Sequence, residues 1–292
     1  MKKFLLILLM VIVASVVFSQ GNFSQVKRKS PGQKQKNTFL QKQFWLGFKG
    51  GINLSQADPI KRYSVMSATN YPSSNLDKTY NSFQNVGSQA TMEITFQFRN
   101  LSISTQPMYS HNVFSYSNQF EWTNTQDPSQ SLTQKYSQSQ GLDYVTLPLI
   151  AKYELVGNTL KGYVHAGIYY SFLTNAVKTV TISGIDLASG STNTLNSQPL
   201  IVGTKDLFTN YWGLMGGIGG SYQMGNVKVV LETTYMHGMS NITNVKNRFS
   251  NDQLAGIGDA QDDIKLNNIV ISAGVLFPMR FLSSNFKSFD QQ

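Results

Sequence analysis

Eight times between residues 44 and 280, apolar and polar side chains alternate with a period of two. Successive side chains of an extended chain point to opposite faces, so each window predicts a strand with one apolar and one polar face. In the first window Phe44, Leu46, Phe48, Ile52 and Leu54 alternate with Trp45, Gly47, Lys49, Gly51, Asn53 and Ser55. In the second, Ala90, Met92, Ile94, Phe96 and Phe98 alternate with Gln89, Thr91, Glu93, Thr95, Gln97 and Arg99. The other six fall at residues 101–110, 144–154, 160–172, 211–222, 227–235 and 268–280. Within all eight windows Lys, Arg, Asp and Glu stay off the apolar parity.

The connections alternate as well. Those at residues 99–100, 156–158 and 224–226 are tight and carry Asn or Gly, as hairpin turns do. Those at 56–85, 118–142, 174–209 and 240–265 are long and polar. Long loops on one rim and short turns on the other predict an all-β fold: an eight-stranded antiparallel up-and-down transmembrane β-barrel with both termini periplasmic. A soluble barrel would turn its apolar parity inward and its charges outward. Aromatic residues on the apolar parity gather near both ends of the windows. Phe44, Phe98, Tyr153, Tyr222 and Phe277 lie toward the short turns, and Tyr109, Tyr170, Phe172, Trp212 and Tyr235 toward the long loops. Two such girdles match the two interfaces of a bilayer.

Composition adds the compartment. Charged residues make up 13% of the 292-residue chain, against about a quarter in ordinary soluble domains. Residues 1–19 have a basic start (Lys2, Lys3), an apolar stretch too short to span a bilayer and a small residue, Ser19, before Gln20. That order predicts a cleaved secretory signal peptide. Without cysteine the chain has neither a lipidation site of the lipoprotein kind nor disulfides. Most of the +9 net charge sits at the N-terminus: two lysines in the signal and six basic residues in the polar linker 20–43, leaving +1 from Phe44 onward. A flexible basic arm is therefore expected, not a nucleic-acid-binding face. The expected organisation is signal peptide 1–19, basic periplasmic linker 20–43, barrel 44–281 and periplasmic tail 282–292.

Several stretches, "GFKGGINLS", "LDYVTLPLIAKYEL", "GYVHAGIYYSF", "GLMGGIGGSY", "ETTYMHGMSNI" and "ISAGVLF", resemble the PorT-like family of outer-membrane β-barrel proteins. Together they run in order from Phe44 to about Phe281. The resemblance implies location in the outer membrane of a Gram-negative bacterium and an accessory role in protein secretion or envelope assembly. It brings no catalytic residues.

The polar parity holds the candidate chemistry. Lys49, Arg99, Lys152, Lys161 and Lys228 face Glu93, Glu154 and Glu232, with Arg280 beyond them. An eight-stranded barrel has room inside only for its own side chains, so these charges predict an ion-paired lumen plug, with Lys49 partnering Glu93 on the next strand. The alternative is a charge-lined transport path. His111, His165 and His237 lack second ligands at metal-binding spacing, and no cofactor is expected. His237 and Ser240 in "HGMS" are weighed as catalytic partners, and His237 is read as interfacial instead. The acidic run "NDQLAGIGDAQDD" is read as a solvated surface loop. Pro148 marks a bulge or bend, and inward Gly213, Gly217 and Gly219 make room for bulky neighbours such as Tyr163 and Tyr169 or permit sharp curvature. Expected partners are outer-membrane lipid and possible secretion or envelope proteins, with no nucleic acid; the barrel is expected to be monomeric. Adhesion or ligand binding through the long loops is a further alternative.

Overall fold

The structure is a computed structural model that describes residues 42–63, 78–155, 160–188, 191–224 and 226–279. The expected signal segment, nearly all of the linker, the turn at 156–158, Arg280 and the tail lie outside the described residues.

Eight strands form the wall: β1 (Lys42–Lys61), β2 (Val86–Phe98), β3 in two runs (Leu101–Thr105 and Met108–Thr123) and β4 (Ser131–Glu154). They continue as β5 (Leu160–Asp186), β6 (Tyr211–Met224), β7 (Val227–Gly238) and β8 (Asp263–Pro278). Each strand pairs antiparallel with the next in sequence. β8 returns to β1, from Trp45↔Pro278 to Lys61↔Asp263. The sheet is thus a closed ring of eight strands, and closure removes the unpaired edges that an open sheet would present to lipid.

Burial alternates with the sequence parity. Phe48 is 52% exposed and Leu231 59%, while their neighbours Lys49 and Glu232 are 4% and 2%. The greasy face therefore points out and the polar face in, the reverse of a soluble barrel. Phe44, Phe98, Tyr109, Tyr153, Tyr170, Trp212, Tyr222, Tyr235 and Phe277 are all exposed on the outer wall. Tyr170 and Trp212 are cross-strand partners, and Phe44 packs on Phe96 with ring centroids 4.8 Å apart. Between the two aromatic levels β4 runs from Val145 to Tyr153, the nine or so residues that a tilted strand needs to cross hydrocarbon.

Three expectations change. Most of residues 118–142 and much of 174–209 are not loops: β3, β4 and β5 continue far past the girdle, Thr123 still pairing with Ser131 and Leu132 with Asp186. From Tyr144 back to Ser131 this is roughly 45 Å of strand. Two short strands, Asn193–Asn196 and Leu200–Gly203, pair back onto β5. Pro148 causes no bulge. It lies opposite the lapse in β3 at Gln106 and Pro107, and the register is the same on either side, Thr105↔Leu149 and Met108↔Thr146. By that register Pro148 stands opposite Gln106 and Pro107 opposite Leu147; the two prolines together lack two amide donors, so the ladder pauses without slipping, and the register shift falls between Asp143 and Tyr144. Nor is the interior polar throughout. Toward the long loops, Phe114, Leu142, Tyr144, Tyr211, Met215, Ile264 and Leu266 form an apolar core, closed from above by Leu207, Phe208, Ile242 and Leu254.

With the aliphatic belt outside, a charge there must meet lipid. Leu231→Arg is expected to cost about 2–4 kcal/mol of stability, read as a lower urea midpoint for the protein folded in lipid vesicles, while the folded form keeps its heat-modifiable migration in gels.

Candidate functional site

The lumen charges arise from strand parity alone: a lysine or glutamate at an inward position of a narrow barrel has nowhere to point but the axis. Lys49 on β1, Glu93 on β2, Lys152 on β4 and Glu232 on β7 meet there as a closed, alternating ring. Lys49 Nζ is 2.8 Å from Glu93 Oε2 and also bonds Glu232 Oε2. Lys152 Nζ is 2.7 Å from Glu93 Oε1 and 2.6 Å from Glu232 Oε1. Each carboxylate gives one oxygen to each lysine, and the four charges sum to zero. Thr95 Oγ1 donates to Glu93 Oε1 at 2.6 Å, Gln106 Nε2 to Glu93 Oε2 at 3.2 Å and Tyr163 OH to Glu232 Oε1 at 2.8 Å. Gly219 makes Tyr163's approach possible, because a Cβ there would stand 2.3 Å from the tyrosine Cζ.

Toward the short turns lies a second layer. Glu154 bonds Lys161 at 2.8 Å and Lys228 at 3.1 Å. Gln97 bridges it to the wall, donating to Glu154 Oε2 at 3.0 Å and accepting from Lys228 Nζ at 2.8 Å and Trp45 Nε1 at 3.0 Å. Trp45, 2% exposed, spreads its ring 4.3 Å from Lys228 Nζ and fills this end of the lumen. Arg99 belongs to neither layer. It occupies the β2–β3 turn with a φ of 55°, exposed, its guanidinium 5.4 Å from the Phe98 ring. At a hairpin tip parity no longer dictates direction, and a long cation turns to water.

A third cluster corrects the solvated-loop expectation for the acidic run. Asp259 and Asp262 are buried under the long loops. Lys78 Nζ lies 3.1 Å from Asp259 and 3.2 Å from Asp262, and Lys178 Nζ 2.8 Å from Asp259. Tyr80 OH donates to Asp262 at 2.8 Å, and Lys178 donates to Tyr116 OH at 2.7 Å. Burial alone would raise the Asp259 carboxyl, but Lys178 and Lys78 outweigh it and hold the group well below the usual carboxylate range. Burial pulls the Lys178 ammonium down, offset in part by Asp259. No local pattern marks this cluster: Lys178 lies on a stretch expected to be loop, and its carboxylate partner Asp259 is 81 residues away.

The histidines stay apart. His111 Nδ1 is 2.6 Å from Asp143 on the outer wall, His165 Nε2 2.9 Å from Thr234 Oγ1 in the lumen, and His237 stacks outward beside Tyr235. Ser240 Oγ accepts from the Trp212 amide at 3.2 Å, so "HGMS" holds two residues engaged elsewhere.

Removing one member of a buried ion pair strands the others. Glu232→Gln is expected to lose about 3–5 kcal/mol in urea unfolding, and the paired change Lys152→Met with Glu232→Met, which leaves Lys49 and Glu93 balanced, less than Glu232→Met alone. A carboxyl depressed on folding stabilises above its unfolded value, about 3.9, and that contribution fades as pH falls. Hydrogen exchange over residues 252–263 is therefore expected to be flat from pH 8 to 5, after correction for intrinsic rates, and to rise below about pH 4.

A family model agrees with this architecture. Residues 19–244 match a family model described as outer membrane protein beta-barrel domain; the match stops before β8, which closes the ring. Similar solved structures include the protease OmpT of Escherichia coli, 12% identical with a TM-score of 0.37 over 81% of this chain and 97% of that one. Others are Neisserial surface protein A (12%, 0.34, 80% and 96%) and Ail of Yersinia pestis in complex with a heparin analogue (9%, 0.28, 80% and 99%). Curated proteins give no significant match. The family match covers most of the chain, and with the closed ring of strands it gives the assignment: the chain belongs to the outer membrane protein β-barrel domain family.

Proposed function

We propose that this is a non-enzymatic, non-conducting integral protein of a Gram-negative outer membrane, a PorT-like accessory in protein secretion or envelope assembly. The observation that carries it is the filled lumen. The Lys49–Glu93–Lys152–Glu232 ring ties four strands across the axis, Trp45 fills one end and an apolar core fills the other. A barrel sealed in this way offers its walls, rims and terminal arms to partners, not its interior. In this proposal both termini are periplasmic, since strand number is even and the short turns share their rim. The basic arm of residues 20–43 then faces the periplasm, where it can meet an acidic surface of an envelope protein. The protein acts as a monomer, its outer wall solvated by lipid.

Two measurements test the proposal. Purified protein in planar bilayers is expected to give no stepwise conductance; reproducible channels that change with Lys49→Ala would replace the accessory role with transport. Deleting the gene is expected to alter the profile of exported and surface proteins, with restoration by the full chain. An unchanged profile would overturn the accessory role.

A further inference from the structure

The protruding part of the β3–β4–β5 sheet has an outer face unlike the wall below it. Ser115, Ser139 and Thr179 stand side by side on the three strands, and two residues further out so do Ser117, Ser137 and Thr181. Strand spacing sets these hydroxyls about 4.8 Å apart across the sheet and roughly 6.7 Å apart along it. They line an open depression of about 380 Å³, a volume within the range of small-ligand sites. Asn81 borders it and donates from Nδ2 to Ser115 Oγ at 2.8 Å. Among the described residues the other five hydroxyls have no hydrogen-bond partner in the protein. Lys135 is the single charged side chain of the lining, is exposed, and forms no ion pair among the described residues.

From this face we infer a saccharide-binding site that prefers sugars bearing an anionic group. Ser and Thr hydroxyls both donate and accept, so two rows of them can meet the mixed donors and acceptors of a polyhydroxylated ring without desolvating a charge. The lining offers no aliphatic side chain to a lipid tail or apolar peptide, and no carboxylate to repel an acid. Lys135 gives the pocket its sign and supplies the counter-charge for a carboxylate, phosphate or sulfate on the sugar. The height fits as well: Ser115 and Ser117 are six and eight residues beyond Tyr109 of the girdle, about 20–26 Å along the strand, clear of the hydrocarbon. The site stands apart from the accessory role, because it uses neither the lumen nor the termini. The same chemistry is carried by the saccharide of a neighbouring surface glycolipid and by a soluble acidic polysaccharide.

Calorimetry on the full chain in lauryldimethylamine oxide would test it with three probes: hexagalacturonate, maltohexaose, and the saccharide released from lipopolysaccharide by mild acid. Saturable binding of hexagalacturonate or the released saccharide, at least tenfold tighter than of maltohexaose, is expected; the tighter of the two identifies the natural source. Lys135→Gln is expected to remove the preference for the acidic probe. Ser139→Val together with Thr179→Val, both tolerated on strands, should abolish binding while heat-modifiable migration shows the barrel intact. No saturable binding of any probe, or affinities unchanged in folded variants, would overturn the site.

Discussion

Inside a bilayer an unpaired backbone amide or carbonyl has no water to turn to, and everything here follows from meeting that constraint. The meeting point is the seam where β1 pairs with β8, Trp45↔Pro278 at one end and Lys61↔Asp263 at the other. Once the ring is closed, parity does the rest. From Phe44 to Ser55 the even positions of β1 face lipid and the odd ones a narrow interior, and a residue's solvent is fixed by whether its number is odd or even. The lapse at Pro107 and Pro148 is tolerable for the same reason: the register on either side is kept by its neighbours, so two missing donors do not open an edge.

The lumen charges are costly to bury singly and tolerable as a set. Lys49, Glu93, Lys152 and Glu232 cancel one another, and Thr95, Gln106 and Tyr163 occupy carboxylate lone pairs that would otherwise go bare. Small residues opposite large ones complete the filling, as Gly219 does for Tyr163. The long-loop end solves the same problem differently. There an apolar core carries the packing, and Asp259 and Asp262 are held by Lys78 and Lys178.

How much of this was legible in the sequence depended on what the outer face touches. Across the lipid belt the contrast between Leu231 and Glu232 is as sharp as chemistry allows, and the eight windows could be read directly. Above the belt the outer solvent is water, so Ser137 and Gln138 alternate without contrast and strands passed for loop. The central charges were placed by parity, and Arg99 was misplaced because it lies one residue past the strand, where parity lapses. The buried Asp259 cluster was invisible, since its lysines come from residues 78 and 178 and nothing local marks either as a partner. PorT-like secretion rests on resemblance and belongs to the proposed role, whereas the barrel rests on the ring itself.

The four-charge ring also bears on how the chain gets into the membrane. Its members lie at positions 49, 93, 152 and 232: the first hairpin can pair Lys49 with Glu93, but Lys152 is balanced only when Glu232 arrives from β7, eighty residues later. A half-inserted sheet of β1–β4 would carry two lysines against one glutamate along an open face into hydrocarbon. Partial barrels are therefore high in free energy, and contacts this distant in sequence make folding slow. Insertion and closure should proceed nearly together, with the last strand and the first meeting before the charges leave water.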